Sequence, residues 1–235
     1  MMNRRGWLAR CGRSGLVLGG LLGLASAGRA AAPLTEGDAA QGVRAALERG
    51  AASAVSMLGR TGGFLDNPKV RIGLPGPWQD LARIARLTGQ QAKVDELVVA
   101  MNRAAEAAVP EGRTVLMNAV RSMSVEDARR ILTGGDQSVT EFFSAKTRMP
   151  LTQAFTPIVG RSMQKVALAQ KADALAGRAA ATGLVRKEDM DLQRYVTERT
   201  LDGLYRMIGE EERRIRQDPV GTGSAILSKV FGSLR

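Results

Sequence analysis

Three carboxylates in this chain lie where their neighbours could tune them for proton transfer. Asp95, Glu96, Asn102, Arg103 and Glu106 crowd into one stretch of about three helical turns. At helical spacing Asp95, Asn102 and Glu106 fall near one face, and Glu96 and Arg103 near another. Arg103 can reach Glu106 on the next turn. This pattern predicts a polar cleft on a helical wall, its carboxylate positioned by Asn and Arg. The plainer reading is a solvated face plus an Asn/Arg network that fixes helix register. Further along, Glu210-Glu211-Glu212-Arg213-Arg214 spans more than one turn, so at least one acid must face inward. Its plainer reading is surface ion pairs such as Glu210 with Arg214. A buried Glu211 or Glu212 beside Tyr195 or Tyr205 could instead be raised in pKa and act as a general acid without histidine. The first reading of the whole chain is a non-catalytic binding protein; the alternative is a hydrolase or lyase of envelope glycan, with Glu96, Glu106 and Glu211 as its catalytic candidates.

Histidine is absent, and Cys11 is the sole cysteine. These facts exclude Ser-His-Asp and Cys-His catalysis and His/Cys metal or haem ligation from the rest of the chain. No cofactor and no metal site is expected. The ten methionines fall mostly at helical core spacing and read as packing. Aromatic residues make up 4% of the chain, too few for a stacking platform for sugars or bases.

A second constellation suits binding. From Gly62 to Pro75 three glycines and two prolines break any helix, while Val70, Ile72 and Leu74 alternate. An extended segment or edge hairpin is expected there. Phe64, Asn67 and Arg71 on this loop, with Asn102, Arg103, Tyr195 and Tyr205, are the candidate ligand- or partner-binding residues. The plainer alternative is a rigid connector that packs Phe64 and Ile72. Thr133-Gly134-Gly135-Asp136 offers free N–H groups at a helix start, which can hold an anion, but Asp136 itself is expected to cap them.

The opening residues give an address. Arg4, Arg5, Arg10 and Arg13 precede an apolar run from Gly15 to Leu24, and small residues follow through Ala32. Residues 1–32 read as a secretory signal. Arg4-Arg5-Gly6-Trp7-Leu8 fits the twin-arginine type as well as the ordinary one. The apolar run is shorter than the roughly 20 residues of a membrane span. A periplasmic or secreted protein is expected, with residues 33–235 forming one domain. Removing the five arginines of residues 1–32 takes 34 basic residues to 29 against 23 acidic ones, a surplus of six in place of eleven. That balance, without a clustered patch, argues against nucleic acid as a partner. The expected partner is an envelope protein or a small ligand.

Apolar residues elsewhere recur mostly with helical period. Thr35 can cap a helix to about Gly59, with Val43, Leu47, Ala51 and Leu58 on one face. Helices follow from Trp78 to Gly89, Gln91 to Val109 and Gly112 to Met123. Ser124 and Asp127 form a capping box before Val125 to Leu132. Further helices are read from Ser138 to Lys146, Leu151 to Ala181, Glu188 or Asp189 to Gln217, and Ser224 to Phe231. Pro157 marks a true start or a kink in the long one. The sum is an all-α bundle of about seven to nine helices, with one Gly/Pro-rich loop or short hairpin.

With these segments in place, the chain resembles a bacterial envelope family of unknown function, domain of unknown function 4197. The resemblance rests on Gly63-Phe64-Leu65-Asp66-Asn67-Pro68 with Val70-Arg71-Ile72, and on Val94-Asp95-Glu96-Leu97 running into Met101-Asn102-Arg103-Ala104-Ala105-Glu106. It continues through Ile131-Leu132-Thr133-Gly134-Gly135-Asp136, Phe155-Thr156-Pro157-Ile158-Val159, Tyr195-Val196-Thr197 and Leu201-Asp202-Gly203-Leu204 to Glu210-Glu211-Glu212. It implies an exported helical protein and brings no activity.

Overall fold

The computed structural model describes residues 35–135, 137–165 and 191–218. All regular structure in them is helical: α1 (Glu36–Leu58), α2 (Gly76–Leu87), α3 (Gln91–Ala108), a 3-10 turn (Val109–Gly112), α4 (Arg113–Arg121), α5 (Val125–Thr133), α6 (Ser138–Met163) and α7 (Leu192–Gln217). Among the described residues five helices reach twelve residues or more: α1, α2, α3, α6 and α7. Two nine-residue helices link them. Counted by these longer helices, the described residues hold five where about seven to nine helices were expected. The expected signal, the Asp136 cap, the stripe beyond Lys165 and the helix from Ser224 lie outside the described residues.

Local chemistry explains where α1 and α5 begin. Thr35 Oγ1 accepts from Asp38 N while Asp38 Oδ2 accepts from Thr35 N. Ser124 and Asp127 repeat the arrangement. Each box satisfies two helix-start donors. The hydroxyl and N–H of Ser124 outweigh a small burial penalty and hold the Asp127 carboxyl below its ordinary value. α7 starts later than expected: Asp191 Oδ1 caps Arg194 N. α6 departs furthest from the sequence reading. The two helices expected to flank Met149 are one, and it runs through Pro150 and Pro157. Thr147, Thr152 and Thr156 return their hydroxyls to carbonyls four residues back. Flanking packing carries the helix across the two missing N–H donors, at the ends of one seven-residue interval.

α7 lies against α1, α3 and α6, and α3 also packs on α6. Phe64, Phe143 and Phe155 are fully buried in the core they share, with Leu58, Leu97, Leu116, Leu151 and Leu204. α4 and α5 pack against both α1 and α6. The segment between α1 and α2 contains no strand. It turns through Gly62, whose φ of 83° favours glycine, makes further turns as far as Val70, and runs without regular structure from Arg71 to Pro75. Phe64 plugs it into the core against Gly203 of α7, where a Cβ would come within 2.8 Å of the ring.

Candidate functional site

The α1–α2 loop is held by two side chains of α3 that stand one turn apart. Asn102 is fully buried. Its Oδ1 accepts from Ile72 N at 2.8 Å, and its Nδ2 donates to Ile72 O at 2.9 Å and to Val98 O at 2.8 Å. One amide thus pairs with both backbone groups of Ile72, as an adjacent strand would. This corrects the hairpin expectation: Val70, Ile72 and Leu74 lie in no strand, and the partner of Ile72 is a side chain. Four residues on, Glu106 Oε1 accepts from Phe64 N and Leu65 N at 3.1 Å each. Its Oε2 accepts from Arg103 at 2.5 Å. Burial pushes this carboxyl up, but the Arg103 guanidinium and the N–H groups of Leu65, Phe64 and Gly62 outweigh it. The result is a carboxylate held below its ordinary value. It is an anion that anchors backbone, poorly suited to giving up a proton near neutral pH.

The other carboxylate candidates lie apart from it. Glu96 is exposed on α3, as is Asp95, which accepts from Gln91. Glu211 is buried, and its Oε2 pairs with Arg214 at 3.2 Å. Glu210 does not take Arg214 as expected; it pairs with Lys69 at 2.7 Å and lies 3.9 Å from Arg206. Among the described residues no group of His, Cys, Asp and Glu could hold a metal ion.

The two tyrosines stand at opposite ends of a charged ladder. Tyr195 is half-buried and donates to Gly73 O at 3.1 Å. Arg199 lies over its ring, 5.4 Å from the centre, and reaches Asp202 at 3.5 Å. Asp202 also accepts from Arg148 at 3.1 Å, and Arg148 covers the ring of Tyr205 at 5.3 Å. Tyr205 is buried and shares a 3.0 Å hydrogen bond with Thr147. Burial raises its hydroxyl above the ordinary value, so it stays protonated. The Tyr195 hydroxyl bonds to Gly73 O and the Tyr205 hydroxyl to Thr147, while Glu211 pairs with Arg214.

The loop and α7 enclose a cleft of about 300 Å³, lined by Lys69, Arg71, Gly73, Tyr195, Arg199, Asp202 and Arg206 among others. The candidates Phe64, Asn67, Asn102 and Arg103 act beneath it. Phe64 is core, Asn67 shapes the turn by accepting from Lys69 N at 3.1 Å, and Asn102 and Arg103 secure the backbone. Only Arg71 and Tyr195 of the expected binding set reach the cleft. Sequence reasoning missed Lys69, Arg199, Asp202 and Arg206. Their signal was present: Tyr195, Arg199, Asp202 and Arg206 follow the i, i+4, i+7, i+11 rhythm of one helical face. Such a stripe also describes any solvated helix surface.

The family described as "Protein of unknown function (DUF4197)" matches residues 33–232. The chain belongs to this family. All of the described residues, including both anchors of the loop and the cleft above it, fall within the family's span. No curated protein and no solved structure matches the chain significantly. No helix among the described residues is long and apolar enough to cross a membrane.

Proposed function

We propose that this member of the family is an exported, periplasmic protein of the bacterial cell envelope that binds a ligand or partner and performs no chemistry on it. The observation that carries the reading is the use made of Glu106. The carboxylate best framed by polar neighbours is committed to two backbone N–H groups and an arginine. It stabilises a shaped loop, and loops held by a rigid scaffold are where recognition commonly resides. The export signal read in residues 1–32 supplies the compartment, and the lack of histidine and of cysteine beyond Cys11 narrows the chemistry.

The alternative, a carboxylate hydrolase or lyase acting on envelope glycan, retains one specific support. Glu211 Oε1 is buried without a hydrogen-bond partner, as a poised acid can be.

Native mass spectrometry of the mature protein, purified gently from the periplasm, tests the proposal against this rival. A retained small molecule that disappears on denaturation is the expected result. An empty protein that releases fragments from envelope glycan, with turnover abolished in Glu211→Gln, would replace binding with catalysis.

A further inference from the structure

We infer that the cleft between residues 69–73 and α7 is a binding site for a single phosphorylated group, an assignment that rests on the binding reading above. The charge arrangement is the first reason. Lys69 and Arg206 share the one carboxylate of Glu210, and Arg148 and Arg199 share that of Asp202. Arg71, exposed on the loop, has no ion pair among the described residues. Lys69, Arg71, Arg199 and Arg206 line the cleft, four cations against these two carboxylates, and the surplus is sufficient for a dianion. Arginines dominate the set, and planar guanidinium forks match phosphate oxygens two at a time.

Shape gives the second reason. Arg199 and Arg206 rise from α7, while Arg71 approaches from the loop, so the cations converge from two walls. The loop wall is set by Asn102 holding Ile72 and by Tyr195 holding Gly73 O. On the other side of Arg71, Val70 N and Arg71 N both donate to Asn67 O, so the guanidinium is presented by held backbone, which lowers the ordering cost of binding. At Gly73 the mouth is open: a Cβ there would meet nothing within 4 Å. Asp202 interrupts the basic surface along α7, so the site suits one compact anion and not a long polyanion lying along the helix.

A soluble phosphomonoester and a phospholipid headgroup share this chemistry. The test uses the full mature chain at low salt with two phosphomonoester probes: sn-glycerol 3-phosphate by calorimetry, and vesicles of phosphatidic acid in phosphatidylcholine by co-sedimentation. Arg71→Ala/Arg206→Ala is compared with Arg121→Ala/Arg161→Ala, which removes the same charge from exposed positions on other helices. The expected result is a loss of at least about tenfold in affinity for the cleft pair and a far smaller loss for the control pair. Gly73→Phe, which obstructs the mouth and removes no charge, should weaken binding as well. Binding of the soluble probe identifies a free phosphate ligand; binding of vesicles alone identifies a headgroup. Equal losses in the two double variants, or no binding of either probe by the wild-type protein, would overturn the assignment. If the wild-type protein carries a native ligand that the cleft pair retains unchanged, the cleft is refuted while the binding function stands.

Discussion

Asn102 gives Ile72 the donor and acceptor that a neighbouring strand would otherwise provide, and Glu106 caps the turn before it. The two are unequal in their response to acid. Glu106 ionises more readily in the folded chain than at its ordinary value of 4.5. Its stabilisation is therefore complete above that value and is lost as pH falls through the lower folded value. Glu106→Gln keeps an acceptor for the loop N–H groups but has no charge to lose. The wild-type protein should be the more stable of the two near neutral pH, and the gap should close as pH falls below 4.5 and through the lower folded value. Urea midpoints at several pH values measure it. A gap that stays constant with pH would mean that the carboxylate's charge does not stabilise the fold.

Among the elements, the α1–α2 connection is the one whose backbone leaves least freedom. A Cβ at Gly63 would lie 2.4 Å from Leu58 O and 2.6 Å from Met57 O. Both are backbone atoms and cannot swing aside. Gly63→Ala should cost about 3 kcal/mol in a denaturation experiment, whereas Gly73→Ala, facing open space, should change stability by less than about 0.5 kcal/mol. Legibility in the sequence follows the same division between local and distant causes. The boxes at Thr35 and Ser124 were readable because each is closed within four residues. α6 was not, because Pro150 and Pro157 are helix breakers by local rule, and only burial of Leu151, Phe155 and Val159 overrides them. The polar cluster on α3 was visible as a set. Its partner, a loop some 30 to 42 residues earlier in the chain, was not. The cleft was less legible still, since it joins Gly73 to Tyr195 across 122 residues.

At the scale of the molecule, the loop belongs to the same cooperative unit as the helices it touches. Its N–H groups at Phe64, Leu65 and Ile72 are bonded to side chains of α3, and Phe64 occupies the core beside α7. Hydrogen exchange should therefore protect these three amides nearly as strongly as those of α3 and α7, far beyond an ordinary surface connection. Asn102→Ala should lower protection at Ile72 at least about tenfold while α6 keeps its own. Fast exchange at Ile72 in the wild-type protein would show that the loop opens independently of the bundle.

The two anchors also decide where this chain can grow. Between Leu65 and Ile72 the backbone leaves the body of the protein and returns to it, with Asp66, Pro68 and Lys69 exposed at the crest. Residues inserted there need not disturb either anchor, and lengthening a surface loop carries only a small entropic cost. A residue inserted between Asn102 and Glu106 would swing one anchor about 100° around the helix and release an end of the loop. Variation in length is thereby channelled to the outer face of the loop, and the anchored wall beside Arg71 keeps its form.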